Sequence, residues 1–416
     1  MGMTIIEKIL ARACGAAKIA PGDLAVVDVD LCVLIDLSFS RGSWREVLKV
    51  HDPEKVVVVF DHDVPASNRD TAAMHVRGRD FVRRRFGIGR FHDVGPDQGI
   101  SHVVVAENAY ALPGTVMACS DSHTCSAGAL NCAARGLGAP DLLYALTTGK
   151  TWFRVGETVR YDLGGRLAEG VSAKDLFLHI AGRYGDHANQ NIEFGGAALP
   201  HLSIDARRTL TTMGAELSAE FATFEPDDVL IDYVKTRNPA PFEPQYPDPD
   251  ATYRARHAID LSTLPPMVAL PDRVIRNTVP VGEAAGEPIH QAFIGSCANG
   301  TLDDLAEAAR ILKGRHVAPG VRLLVTPGSQ RIAAAAAKAG FVQTLLEAGA
   351  VVTPATCGAC YGGHMGVVGP GETCITASTR NFKGRMGDVT ARIYMASPAT
   401  VAASAVAGRI AHPASV

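Results

Sequence analysis

The sequence predicts an α/β protein built on buried, mostly parallel sheets. Two observations carry this. Short, nearly continuous β-branched runs recur along the chain, and each leads through a polar loop into apolar residues at helical spacing. Strands apolar on both faces belong inside parallel sheets covered by helices, whereas a sheet with one wet face alternates.

Along the chain, Ile5, Ile6, Ile9 and Leu10 share one face of an opening helix, with Thr4 placed to cap it and Gly15 to stop it. Residues 56–60 (VVVVF), 115–119 (TVMAC), 292–294 (AFI), 321–325 (VRLLV), 351–352 and 374–378 (CITAS) read as strands. Helices follow at 301–312, where Leu302, Leu305, Ile311 and Leu312 repeat, and at the Ala-rich 331–339, which Gly340 ends. A last helix starts at Pro398. Residues 238–250 (NPAPFEPQYPDPD) hold five prolines in thirteen residues, so they fit neither a helix interior nor a central strand. A domain junction is expected near or just after them. The chain then divides into an α/β domain at 1–155, a second at 156–265 that ends in the Pro-rich linker, and a third at 266–416. The strand–helix repetition has no fixed period, so a solenoid is not expected.

The 416 residues suit two or three domains. With 47% hydrophobic and 20% charged residues the chain packs rather than staying disordered. Its net charge of −3 gives no reason to expect nucleic acid or an anionic membrane as partner. The basic run at 77–85 (RGRDFVRRR) reads as a solvated helix face. No apolar run reaches the eighteen residues of a membrane span, and the N-terminus lacks the layout of an export signal. Nine cysteines, an odd count without scaffold spacing, then point to a reducing compartment, the cytoplasm. Reduced cysteines there are packing residues, ligands or nucleophiles.

Three of them stand out. Cys357-Gly-Ala-Cys360 leads into the loop composition Tyr-Gly-Gly-His, unlike a redox pair that opens a helix. Cys297 lies in GSCANG between a strand and a helix, where glycines let the backbone curl around an inorganic group. Two readings stay open. Zinc could be completed by His364 as a Cys₃His site, which spacing alone slightly favours. An iron–sulfur cluster on three thiolates would leave one iron open for substrate. Cys14, Cys32, Cys119, Cys132 and Cys374 lie in apolar patterns and read as core; Cys125, in DSHTCS, is left open.

Carboxylate–histidine pairs follow two of the strands. Asp61-His62-Asp63 comes after VVVVF, Asp121-Ser122-His123 after TVMAC, and His102 ends the stretch DQGISH. A carboxylate beside a histidine fixes its tautomer and raises its basicity, which suits acid–base work near neutral pH. Arg380 and Arg385 flank a glycine in STRNFKGR after another strand; they suit carboxylate binding, and equally a pair of surface arginines.

Taken together, these segments resemble the aconitase superfamily, most closely its members with separate large subunits, of the isopropylmalate isomerase and homoaconitase type. The matching stretches run in one order from Met1 to about Arg385: 1–12, 56–63, 91–102, 118–130, 147–159, 191–199, 293–305 and 356–388. The resemblance implies three α/β/α domains around a central cluster, without the swivelling fourth domain of full-length aconitases. It implies a 4Fe–4S cluster on Cys297, Cys357 and Cys360 with its fourth iron free of protein ligand, and makes His364 a cluster-loop residue. It places Asp61, His62, His102, Asp121, His123 and Glu193 in an acid–base network, with His62 as the acid for the departing oxygen and His102 with Glu193 as a second relay. Ser122, Arg380 and Arg385 fall to the substrate. The implied reaction isomerises a hydroxy di- or tricarboxylate by dehydration and rehydration. The first expectation is 3-isopropylmalate in leucine biosynthesis; homocitrate, citramalate or 2,3-dimethylmalate, and specialised metabolites are the others. A separate small subunit is expected to bring the swivelling domain and a serine base. A zinc-stabilised binding protein and a non-catalytic regulatory paralogue are the readings of other classes. Ala298, where Thr is usual, Thr379, where Asn is usual, and the stretches 105–108 and 270–277 depart from the family pattern.

Overall fold

A computed structural model describes residues 2–416; Met1, where the first matched stretch begins, lies outside them. The opening helix, Ile5–Ala13, buries Ile5, Ile6, Ile9 and Leu10, and the Glu7 carboxylate accepts the Thr4 backbone N–H at 2.9 Å. Strand β1 (Leu24–Asp28) is followed by β2 (Leu31–Ile35), β3 (Val56–Val59), β4 (Arg90–His92), β5 (Val116–Cys119), β6 (Ala133–Gly136) and β7 (Lys150–Arg154). Strands β2 to β6 form a parallel sheet in the order β4-β3-β2-β5-β6, while β1 and β7 pair antiparallel as a ribbon. β2, β3 and β5 are buried at every residue, as their unbroken apolar runs require.

A second parallel sheet, ordered β10-β9-β8-β11, holds β8 (Glu157–Gly164), β9 (Gln190–Gly195), β10 (Phe221–Phe224) and β11 (Ala255–Asp260). The proline-rich stretch runs between helix Asp228–Lys235 and β11, so the same sheet continues on its far side. It is a pinned strap: Asn131 donates to the Gln245 carbonyl and accepts from the Gln245 N–H, and Asn238 donates to the Ala109 carbonyl.

The third sheet takes β12 (Met267–Ala269), β13 (Thr278–Pro280), β14 (Gln291–Ile294), β15 (Arg322–Val325), β16 (Val351–Val352), β17 (Thr373–Thr376) and β18 (Arg392–Ala396), ordered β13-β12-β18-β17-β14-β15-β16. Five of these run parallel; β12 and β13 are antiparallel additions at one edge. Helices Leu302–Leu312, Gln330–Lys338 and Pro398–Ala407 fall where their periodicity placed them. The basic run belongs to a helical segment whose Arg83 and Arg84 point to solvent, although Arg79 is drawn into a two-pronged pair with Asp93. Among the described residues no helix is long and apolar enough to cross a membrane. The architecture is α/β, and its parallel ladders send the loops after β3, β5, β14, β16 and β17 toward one cavity.

Candidate functional site

The cavity has a volume of ≈270 Å³. Its first wall is the loop after β3. Asp61 takes His62 Nδ1 at 2.7 Å on one carboxylate oxygen and the Ser101 N–H at 2.8 Å on the other. Its carbonyl accepts the Cys357 N–H and the Thr356 hydroxyl, which ties the first sheet to a cysteine loop of the third. Beneath lies Asp36, fully buried, accepting the backbone N–H groups of His62 and Asp63. Burial works against protonated His62, but the neighbouring Cys357, Asp61 and Asp36 outweigh it and raise its pKa above the usual value.

The loop after β5 forms the second wall, with helix Ser101–Glu107 behind it. Asp121 holds His102 Nε2 at 2.8 Å and the His123 N–H at 2.7 Å. Burial would raise this carboxyl, yet the two histidines hold it well below its ordinary range. His123 Nε2 lies 3.0 Å from Glu216, which also accepts Arg380 Nε at 2.7 Å. Arg380 Nη2 in turn donates to Ser122 Oγ at 2.9 Å. A chain of contacts thus runs from His102 through Asp121 to His123, whose ring Nδ1 lies 3.4 Å from Asp121, and on through Glu216 to Arg380.

The cysteine loops close the cavity. Gly295 has φ 155°, and a Cβ there would meet the Thr326 carbonyl at 2.7 Å, so the turn that presents Cys297 needs glycine. Cys297 and Cys360 are buried, and all three cysteines line the cavity. Burial pushes the Cys357 thiol up to about 12. It would do the same to Cys360, but Arg385, whose Nη2 lies 3.7 Å from the sulfur, and the Thr379 hydroxyl at 3.5 Å bring it down to about 7. Thr379 therefore supplies a polar contact at the position where the family pattern has Asn. Arg385 Nε is buried without a partner among the described residues. Helix Ala173–Arg183 sends Lys174 in from behind, fully buried, to donate to the Ser378 carbonyl at 3.0 Å; burial lowers its ammonium to about 8.

Eleven of the twelve residues assigned from the sequence and its resemblance meet around this cavity, Ser122 through its bond to Arg380. Glu193 does not. It lies on β9, fully buried, paired with Arg160 at 2.6 Å and accepting the Tyr253 hydroxyl and the Ile5 N–H. A carboxylate on a sheet strand, satisfied by an arginine, a phenol and a helix N-terminus, is a structural anchor. Glu216, in the single turn Gly214–Leu217 after helix Ile204–Met213, stands beside His123 instead. The expected relay of His102 with Glu193 is replaced by His102 with Asp121. The signal for Glu216 is Gly-Ala-Glu breaking a helix just before the strand FATF.

His364 pairs with Asp63 at 3.5 Å and is absent from the cavity lining. Among the described residues, the His, Cys, Asp and Glu ligand atoms gathered within 4.8 Å of one another are those of Asp61, His62 and Cys357. The three sulfurs with His364 make no such set. Tetrahedral zinc with Zn–S bonds of about 2.3 Å needs sulfurs roughly 3.8 Å apart. Three thiols spread around a cavity fit a larger group bridging them better than a single ion. Cys32, Cys119, Cys132 and Cys374 are core residues as expected, Cys14 is half-buried, and Cys125 is buried with its thiol toward the Thr212 carbonyl.

A family profile described as "Aconitase family (aconitate hydratase)" matches residues 43–285 and 277–408. The chain is 55% identical over 410 residues to the 3-isopropylmalate dehydratase large subunit of Mycolicibacterium smegmatis, covering 99% of this chain and 96% of that one. It is 43% identical over 422 residues to the probable 3-isopropylmalate dehydratase large subunit of Methanothermobacter thermautotrophicus, covering both in full. It is also 43% identical over 419 residues to 3-isopropylmalate dehydratase large subunit 1 of Methanopyrus kandleri, covering 99% of each.

Proposed function

The chain belongs to the aconitase family, and we propose that it is the large subunit of a 3-isopropylmalate dehydratase, a hydro-lyase of leucine biosynthesis. The observation that carries this is the convergence of three cysteines, two carboxylate–histidine pairs and two arginines on one cavity. Cys297, Cys357 and Cys360 would hold a 4Fe–4S cluster. When bound, such a cluster supplies a Lewis acid, an iron free of protein ligand that polarises the substrate's hydroxyl and carboxylate.

The chain's own groups do the rest. Arg380 and Arg385 grip a carboxylate; Arg380 is aimed by Glu216 and Ser122, and Arg385 lines the cavity beside Cys360. The fixed positive charge stabilises the negative charge that grows on the substrate as its α-proton leaves. His62 turns Nδ1 to Asp61, leaving Nε2 to face the cavity, 3.7 Å from Asp121. Nε2 is thus placed to give a proton to the hydroxyl as the C–O bond breaks. His102 and His123, joined through Asp121, carry protons along the opposite wall. The base that takes the α-proton is a serine on a separate small subunit whose swivelling domain closes the cavity. Nine unpaired cysteines suit the reducing cytoplasm for this assembly.

The test is anaerobic co-purification with the small subunit. A brown complex with iron and sulfide in equal amounts, dehydrating 3-isopropylmalate at least about a hundredfold faster than this chain alone, is expected. A colourless protein with stoichiometric zinc, or full turnover by the single chain, would overturn the proposal.

A further inference from the structure

Behind the cysteine loops sits a charge that the chemistry above does not use. Lys174 lies in the first turn of helix Ala173–Arg183, and its side chain is fully buried. Its ammonium donates to the Ser378 carbonyl at 3.0 Å and touches the Met213 sulfur at 3.4 Å. Neither partner carries a charge, and a thioether is a weak acceptor. Among the described residues Lys174 makes no ion pair. Two carboxylates act on it from further off, and both are engaged elsewhere. Asp304 accepts from Thr301 and Asn299, while Glu216 accepts from Arg380 and pairs with His123. Burial lowers the ammonium to about 8, which leaves it charged at neutral pH. A cation taken out of water without an anion in contact destabilises a fold, and one in the first turn of a helix also opposes the helix dipole. A lysine kept in such a place calls for an anion beside it.

The surroundings of the charge tell which anion. Ser378 directly precedes Thr379, whose hydroxyl lies 3.5 Å from the Cys360 sulfur. Met213 ends helix Ile204–Met213, and Thr209 of that helix donates to the carbonyl of Ala298, the residue after Cys297. Lys174 thus stands where the supports of two cysteine loops meet, and after Asp304 the Cys297 and Cys360 sulfurs are the charges that act on it most. We propose that Lys174 is the buried countercharge of the group held by Cys297, Cys357 and Cys360, and that it sets the reduction potential and the retention of the cluster; the inference rests on the function proposed above. A metal group takes thiolates, so loading the site gathers negative charge on the sulfurs. A fixed cation nearby in a low-dielectric interior stabilises that charge more than it would in water. It also favours uptake of a further electron, which raises the potential. Arg385 meets Cys360 from the cavity side, and Lys174 adds its charge from the rear.

Two substitutions in the full-length chain test this. Lys174→Met removes the charge and the hydrogen bond; Lys174→Gln removes the charge and keeps an N–H donor on a slightly shorter side chain. Each is compared with the parent chain, both loaded anaerobically and cluster-free. In both variants the reduction potential of the loaded chain should move to more negative values. A chelator should bleach their visible absorption at least about tenfold faster than that of the parent, the usual weight of a group that supports a metal site without touching it. The cluster-free variants, relieved of an unmatched charge, should unfold at a urea concentration no lower than the parent's. Either the potential or the bleaching rate unchanged in either variant overturns the inference; a change confined to Lys174→Met would show the lysine acting through its bond to Ser378 instead. Cluster-free variants that unfold more easily, or do not fold, overturn it as well, since the inference makes the charge a burden on that form. If the parent chain takes up zinc in place of iron and sulfide, the proposed function itself falls, and this inference with it.

Discussion

Two carboxylates at the cavity, Asp121 and Glu216, are held by partners that keep them charged. Asp121 is shared by His102 and His123, and Glu216 by His123 and Arg380, so both carboxylates stay ionised and both histidine rings keep their orientation. Glu193 has the same side chain and a different role. It neutralises Arg160 deep in the second sheet and caps the first turn of the opening helix at Ile5. The two glutamates should therefore respond differently to the same substitution. Glu216→Gln is expected to slow turnover of the complex by roughly a hundredfold, beyond the stability lost with its carboxylate's pairing to His123 and Arg380. Glu193→Gln should lower stability by roughly 1.5–3 kcal/mol, by weakening one of the three carboxylate contacts of Arg160, whose pairs with Asp162 and Glu225 remain, with kcat nearly unchanged. Urea unfolding and steady-state kinetics on both variants decide it, and the opposite pattern would restore Glu193 to the acid–base network.

At the scale of elements, the site is a set of loops whose ends are locked by the strands before them and the helices after them. The GSCANG turn leaves β14 and enters helix Leu302–Leu312 through Thr301, whose hydroxyl accepts the Asp304 N–H while the Asp304 carboxylate accepts the Thr301 N–H. Asn299 donates to the same carboxylate at 3.1 Å, so the helix cap and the cysteine turn share one anchor. Because Thr301 is buried, Thr301→Ala should cost about 1–2 kcal/mol, measured by urea unfolding; a change within error would mean the cap adds nothing to stability. Helix Ala173–Arg183 plays a similar part for the arginine loop, through the bond from Lys174 to Ser378.

Across the whole molecule, the relay joins the three sheets. Asp121 follows a strand of the first, Glu216 precedes β10 of the second, and Arg380 follows β17 of the third. Both carboxylates have folded pKa values below their unfolded ones, burial being outweighed by the paired histidines and, for Glu216, Arg380. Their contribution to stability is thus complete above the unfolded values of about 3.9 and 4.3, and it is lost as pH falls through the lower folded ones. Acid unfolding of the intact chain should steepen below about pH 4, and Asp121→Asn should flatten that limb. An unchanged acid limb in the variant would show that the relay adds no pH-dependent stability. The cysteines, the Asp61–His62 pair and the arginine loop were legible because each sits directly after an apolar strand, a position that aims side chains into a crevice. Glu216 was not, because it lies in a helical turn with no strand before it.

The sequence by itself determined the elements and the chemistry. Unbroken β-branched runs can be satisfied only inside parallel sheets, while the cysteine and arginine motifs stayed open to zinc or a surface role until the family resemblance placed them. Tertiary structure alone decided which carboxylate serves His123, since Glu193 and Glu216 differ in partners many residues away, not in local pattern. It also took His364 out of the cysteine set, because the spread of three sulfurs and the pairing of His364 with Asp63 are distances that no spacing encodes. The seat of Lys174 exists for the same reason: its partners Met213 and Ser378 lie 39 and 204 residues further along the chain, and only folding brings them to it.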